Sequence, residues 1–198
     1  MAKFEEFSYL WPPRPEVAIL PAMLPHYEAK RWWAQTKKNG TCTVIPIAPD
    51  GSVVPWNRHA EQLSFHLPKD LLDTFKTIPG WTVLVGETLR GLGVVYLFDI
   101  LVHKSETLAG VTYRDRYTTL SSLFDWKDAG DHFEATPHLW LAKNLELGFS
   151  VAYSGLTQAI DEGLVLKNPD SVLAACRTQK ANDGWQVKIR KATKNYGF

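Results

Sequence analysis

Five short stretches of this chain carry side chains that could do chemistry, and each lies at the edge or in the middle of an apolar run. Lys37-Lys38-Asn39-Gly40 sets two amines ahead of a turn glycine. Gly86-Glu87 closes the run Trp81 to Val85, and Phe98-Asp99 lies within Val94 to Val102. Glu162-Gly163 opens a late run that ends at Lys167, and Lys188-Ile189-Arg190 alternates two cations about one apolar side chain. Each stretch alone reads as ordinary architecture: a solvated turn, a loop, a core aromatic, turn chemistry, a terminal strand facing water. Together they offer an amine, carboxylates, an aromatic ring and several cations. A lysine amine is a nucleophile only when unprotonated, and its free pKa is about 10.4. Neighbouring positive charge and desolvation both favour the neutral form.

The elements that must position these residues follow from periodicity and turn chemistry. Prolines at 12, 13, 15, 21 and 25 make residues 1–25 an irregular arm, with at most a short helix near Leu24 to Lys30. Arg31 to Thr36 and Thr41 to Ile47 read as strands. Ala48-Pro49-Asp50-Gly51 is a turn that returns as Ser52 to Trp56. Pro68 to Thr77 has a helical apolar face, Trp81 to Val85 is a strand, and Val94 to Val102 suits the middle of a sheet. Tyr113 to Trp126 is expected to be a helix and His138 to Lys143 a strand. Leu145 to Ile160 should contain a helix, and Gly163 to Lys167 and Trp185 to Lys191 should be late strands. Asn168 to Gly184 is expected to be a long exposed loop. The pattern is α+β: antiparallel sheets flanked by helices, in a single domain over residues 1–198.

Composition narrows the classes. The 198 residues are 45% hydrophobic and 22% charged, which suits a globular chain that buries its own core. Cys42 and Cys176 have neither disulfide-framework nor zinc spacing, so reduced thiols in a cytoplasmic setting are expected. The start is too charged for a signal peptide, and no apolar run approaches a membrane span. The formal net charge of +1 hides a basic end, from Arg177 through Lys194, which could carry a phosphate-binding surface or a solvated tail.

In this order, the five stretches resemble the covalent nucleotidyltransferase superfamily of ATP-dependent DNA ligases, RNA ligases and mRNA capping enzymes. Lys37-Lys38-Asn39-Gly40 is similar to the lysine motif K-x-(D/N/H)-G, and Val85-Gly86-Glu87 to the third motif. Tyr96 to Ile100 matches the aromatic-Asp motif, Glu162 to Lys167 the fourth, and Lys188-Ile189-Arg190 the fifth. Trp56-Asn57-Arg58 matches the arginine motif between the first and third, because Cys42 stands where many DNA ligases carry an arginine. The resemblance spans Trp32 to Lys191 and rests on five motifs in order.

The resemblance implies a function. Lys37 would attack the α-phosphate of ATP to give a lysyl-AMP. Lys167 and Lys188 would neutralise charge on that phosphate. Glu162 and Glu87 would anchor Mg2+, or Mn2+ in its place, and Glu87 could also contact the ribose. Phe98 would stack on adenine, and Gln35 would accept a hydrogen bond from its exocyclic amine. Gly40, Arg58 and Arg190 complete the nucleotide site. AMP would then pass to a 5′-phosphate of nicked or broken DNA or RNA, and a 3′-hydroxyl would seal the break. DNA ligases and capping enzymes continue after the fifth motif into an OB-fold domain, whereas this chain stops soon after. It is therefore expected to be a bare core, of a kind that would suit a virus acting in host cytoplasm. Competing readings are an RNA-capping guanylyltransferase, a non-catalytic nucleic-acid-binding relative, and a core whose OB role comes from a partner chain.

Overall fold

The computed structural model describes residues 8–89, 91–156, 160–179 and 184–191. Two sheets carry the chain. The smaller has four strands in the order β1 (Val17–Ala18), β12 (Gln186–Arg190), β11 (Asp161–Lys167), β2 (Trp33–Lys38). The larger runs β4 (Trp56–Asn57), β3 (Thr41–Ile47), β5 (Thr82–Leu89), β6 (Val94–His103), β10 (Leu139–Ala142), β9 (His132–Thr136), β8 (Lys127–Asp128), and β7 (Glu106–Thr107) also pairs with β6. The helices are α1 (Leu24–Ala29), α2 (Lys69–Phe75), α3 (Tyr113–Ser121) and α4 (Phe149–Gly155). This is the expected α+β arrangement of sheets flanked by helices. Most pairings are antiparallel; β1 with β12 and β6 with β10 are parallel.

The small sheet is two-faced because strand side chains alternate. One face buries Ala34, Leu164, Leu166, Val187 and Ile189 against Leu24 of α1 and Phe149 of α4. The opposite face carries the polar residues. The register sets Lys37 opposite Gly163 and Arg190, Gln35 opposite Val165 and Lys188, and Lys167 opposite Gln186. The large sheet buries Ile45, Leu84, Leu97 and Ile100 with Leu71 and Phe75 of α2 and Leu120 of α3. A second cluster joins Val44, Val83 and Val85 to Leu173 and Cys176.

Strands β2 and β3 are consecutive but lie in different sheets, so the turn at Asn39-Gly40 is where the chain crosses between them. Glycine is required there. A Cβ on Gly40 would run into the carbonyl of Thr88 on β5. The second close approach is Gly163, where a Cβ would meet the carbonyl of Ile189 on β12. Register slips at this point: Asp161 faces Lys38, Gly163 faces Lys37, and Glu162 is the extra residue of a β-bulge.

Several elements differ from the sequence expectation. The strand expected over Arg31 to Thr36 begins at Trp33 and continues through Lys38, because α1 ends in a turn with Arg31 at φ 58° and β11 pairs as far as Lys38. Ser52 to Trp56 does not return as a full strand. Val53 makes one isolated bridge to Ile47, and pairing resumes only at Trp56, after Pro55, which has no N–H to donate. Strand β5 runs on to Leu89, so Glu87 lies inside it. Helix α3 stops at Ser121, where the hydroxyls of Ser121 and Ser122 turn back to the carbonyls of Thr118 and Thr119. The loop after β11 is pinned rather than exposed throughout: Leu173 and Cys176 are buried and Val172 bridges Thr112. Residues 180–183 of that loop and 192–198 of the basic end lie outside the described residues.

Gly163→Ala is expected to force β11 from β12 and to lower the unfolding free energy by about 1–3 kcal/mol, the usual cost of overpacking. Denaturant unfolding of the variant beside the wild type measures it.

Candidate active site

Gln35, Lys37, Gly40, Arg58, Glu87, Phe98, Glu162, Lys167, Lys188 and Arg190, the ten residues singled out in the sequence, all line one cavity of about 420 Å3. Its walls come from both sheets. Strands β2, β11 and β12 supply Lys37, Lys167, Lys188 and Arg190, and β5 and β6 supply Glu87, Tyr96 and Phe98.

Adjacent lysines meet opposite fates because β2 alternates. The Lys37 amine forms an ion pair with Glu162 Oε2, and Arg190 Nε lies 3.3 Å from the same oxygen. Lys38 turns into the protein. Its fully buried amine donates to Asp131 Oδ2 at 2.6 Å and Asp161 Oδ1 at 2.8 Å. A lysine next to Lys37 could lend positive charge to the cavity, but two carboxylates neutralise Lys38. The bulge explains the neighbouring carboxylates. It turns Asp161 under Lys38 and Glu162 toward Lys37.

The opposite wall is more apolar. Phe98 lies half-buried with its ring below the Lys167 amine, 4.9 Å from the ring centroid. Lys167 is buried and donates to the Phe98 carbonyl at 3.1 Å and to Tyr113 Oη at 3.0 Å. Gln35 is also buried and its Nε2 donates to the same Tyr113 oxygen at 2.8 Å. Desolvation pushes the Lys167 amine down to about 7, with Asp99 opposing and Arg116 reinforcing. The half-buried Lys188 amine is also lowered, first by desolvation and then by Arg190.

Glu87 accepts a hydrogen bond from the Gly40 N–H at 3.1 Å, so it braces the crossing turn. Burial pushes its carboxyl up to about 7, with Lys37 opposing and Glu162 reinforcing. Among the described residues no three acidic, cysteine or histidine side chains converge on a point. Two carboxylates in one cavity nevertheless fit Mg2+, which takes few protein ligands and keeps water and phosphate oxygens. Arg58 sits exposed at the rim, on a loop held by Asn57, whose Oδ1 accepts from the N–H groups of His59 and Glu61. Cys42 lies in the wall as well, and burial pushes its thiol up to about 12, so it stays protonated and is no competing nucleophile.

Sequence reasoning missed two groups. Residues Pro13 to Glu16 of the arm line the cavity, because Ala18 pairs in register with Lys188 and the Trp11 N–H binds the Cys176 carbonyl. Proline content alone pointed only to irregular backbone. The second group is the buried layer from α3. Arg116 donates to Asp99 through Nε at 2.9 Å and Nη2 at 3.0 Å, and Tyr113 packs beside it. An arginine three residues after a tyrosine, on the apolar face of an expected helix, was the available signal.

No family model and no curated protein matches this chain. Solved structures do match. Mycobacterial DNA ligase D, complexed with ATP and MES, superposes with a TM-score of 0.63 at 19% identity, covering 93% of this chain and 61% of that one. The ligase domain of M. tuberculosis LigD gives 0.64 at 18% identity, covering 93% and 60%. A Lig E DNA ligase, described as binding DNA with a minimal scaffold, gives 0.57 at 13% identity, covering 91% and 69%. The fold is that shared by these DNA ligase structures. The chain spans less than two thirds of the two LigD structures.

The shifted groups give stability opposite dependences on pH. The folded state holds more protons than the unfolded one between 4.5 and 7 at Glu87, so this group lowers stability as pH rises there. The unfolded state holds more protons between 7 and 10.5 at Lys167, so this group raises stability as pH rises there. Glu87→Gln should flatten the first slope and Lys167→Met the second, measured by denaturant unfolding across pH.

Proposed function

We propose that this chain is the core of an ATP-dependent polynucleotide ligase in which Lys37 forms a lysyl-AMP intermediate. The observation that carries the reading is the pairing of Lys37 with Glu162 and Arg190 in a cavity shared with Glu87, Phe98, Lys167 and Lys188. Glu162 holds the amine in an ion pair. Once that carboxylate is engaged elsewhere, Arg190 and Lys188 are cationic neighbours that favour loss of the proton. Mg2+ held by Glu162 and Glu87 would engage it and neutralise phosphate charge.

Lys37 Nζ then attacks the α-phosphorus, the bond to the β-phosphate oxygen breaks, and pyrophosphate leaves. Lys188 and Arg190 face the same space and balance the developing charge. Phe98 offers a flat apolar face to adenine, and Gly40 lets the backbone turn beside the nucleotide without a side chain. AMP passes next to a 5′-phosphate, and a 3′-hydroxyl attacks and releases it. The ATP complex of DNA ligase D and the DNA binding of the Lig E ligase support ATP and nucleic acid as this chain's ligands. The non-catalytic reading differs in leaving no covalent label.

Intact mass after incubation with ATP and Mg2+ tests the proposal. An AMP adduct is expected on the wild type and absent from Lys37→Ala. Lys38→Met should keep the adduct while losing about 3 kcal/mol of stability, because it strands the buried Asp161 and leaves the half-buried Asp131 without its cation. An adduct that survives in Lys37→Ala, or none on the folded wild type, would overturn the assignment. Sealing assays on nicked DNA, nicked RNA and hybrids then separate the substrates.

A further inference from the structure

Tyr113 has no role in the chemistry above, yet its hydroxyl meets three polar groups behind the base-binding wall. The side chain is 0% exposed and Gln35 only 2%, so water cannot substitute for their partners. Tyr113 Oη lies 2.8 Å from Gln35 Nε2, 3.0 Å from Lys167 Nζ and 3.0 Å from the Phe98 carbonyl oxygen.

A phenol has one proton to give and can accept in return. A carbonyl oxygen can only accept, so the Tyr113 proton goes to Phe98. Burial holds the Tyr113 pKa well above its usual value, so that proton is present throughout the working range. Lys167 has a hydrogen for Phe98 and another for Tyr113 whether it is charged or neutral. The Gln35 amide must therefore donate to Tyr113. Turning the amide over would set two oxygens in contact with one proton to share between Gln35 and Phe98. One O···O contact would then have no hydrogen. The orientation of Gln35 is thus fixed from behind, and its Oε1 is directed away from Tyr113, on a residue that lines the cavity.

We propose that Tyr113 is a positioning residue that sets nucleobase choice, by locking the Gln35 amide with its oxygen toward the bound base. An acceptor there pairs with an exocyclic amine, as on adenine, and opposes an exocyclic carbonyl, as on guanine. A site built around such a hydrogen bond rejects the mismatched base strongly, because buried polar groups are left unpaired. The inference rests on the nucleotide-binding reading above, but not on covalent transfer.

The experiment is equilibrium binding of α,β-methylene ATP and α,β-methylene GTP, which cannot transfer a nucleotide. The wild type should prefer the adenine analogue, and Tyr113→Phe should lower the preference by about 10- to 100-fold, the range of one misplaced buried hydrogen bond. In Gln35→Glu, a carboxylate presents oxygen either way up, so adding Tyr113→Phe should leave the preference unchanged. Tyr117→Phe is the structural control. Its hydroxyl donates to the Ala142 carbonyl at 2.6 Å, so stability should fall without a change in preference. Equal affinity of the wild type for both analogues overturns the inference, as does an unchanged ratio in Tyr113→Phe. Missing covalent label with ATP overturns only the lysyl-AMP reading. If Tyr113→Phe does not fold, the wild type still decides. The Gln35 side-chain amide protons should exchange slowly before nucleotide is added, and fast exchange would refute the lock.

Discussion

The register of β2, β11 and β12 is the constraint on which the site depends. Three strands in fixed register put every second residue of each on one face, in rows across the sheet. Lys37, Gly163 and Arg190 form one row; Gln35, Val165 and Lys188 form the next. A slip by one residue would send the cations into the apolar layer of Leu164, Leu166 and Ile189, and those side chains into the cavity. The β-bulge at Glu162 is the single departure. It reverses parity for the two residues before Gly163, so one strand end serves both faces. Asp161 neutralises Lys38 underneath while Glu162 meets Lys37 above. The Glu-Gly pair is thus one device: glycine permits the close approach to Ile189, and the approach turns the glutamate.

The same economy of charge runs through the interior. Two fully buried cations are matched with hydrogen-bonded carboxylates, Lys38 with two aspartates and Arg116 with both oxygens of Asp99. Such pairs add little net stability over apolar packing, but leaving one partner alone is costly, so they fix orientation. Lys167 is the exception. Its amine is buried with a carbonyl and a phenol for partners and no hydrogen-bonded carboxylate, and its pKa falls accordingly. A polar group held in that state gains most from an anion arriving beside it, which is what a phosphate would provide.

Much of this was legible in the sequence. The β-branched residues of Thr41 to Ile47 and the continuous run Val94 to Val102 carried their own strand signals, and residues of the five motifs line one cavity. What was not legible depends on tertiary pairing. Nothing local distinguishes Lys37 from Lys38; their opposite directions come from β2 entering a sheet with β11. The apolar pattern of α3 runs on to Trp126, and the serine hydroxyls that turn back to Thr118 and Thr119 are only a weak local signal for its end at Ser121. His132 to Thr136 does alternate, with Phe133 and Ala135 packed on the core, but the pattern spans only five residues, and it is the pairing with Leu139 to Ala142 that makes it a strand of the large sheet. Tyr113 and Arg116 read as one amphipathic face, and only the fold shows that this face abuts the base wall.

In the arm, the consequence of the sequence character stayed hidden. Its prolines do suppress regular structure, and residues 8–16 are irregular. Yet a segment unable to donate regularly to a ladder can still lie beside one, and Val17–Ala18 join the free edge of β12 in parallel, with the Ile19 N–H reaching the Lys188 carbonyl. The edge that would otherwise expose Lys188 and its backbone is thereby covered. Because the arm is tied at Trp11 on one side and Ala18 on the other, its middle residues have no choice but to border the cavity. Arg14, braced by Glu16 at 3.0 Å, therefore adds a cation to the wall that already holds Lys188 and Arg190. Desolvation and Arg190 lower the Lys188 pKa chiefly; Arg14 adds a smaller push in the same direction, against Glu16. The irregular segment is thus part of the electrostatics of the site, through backbone pairing that composition alone does not reveal.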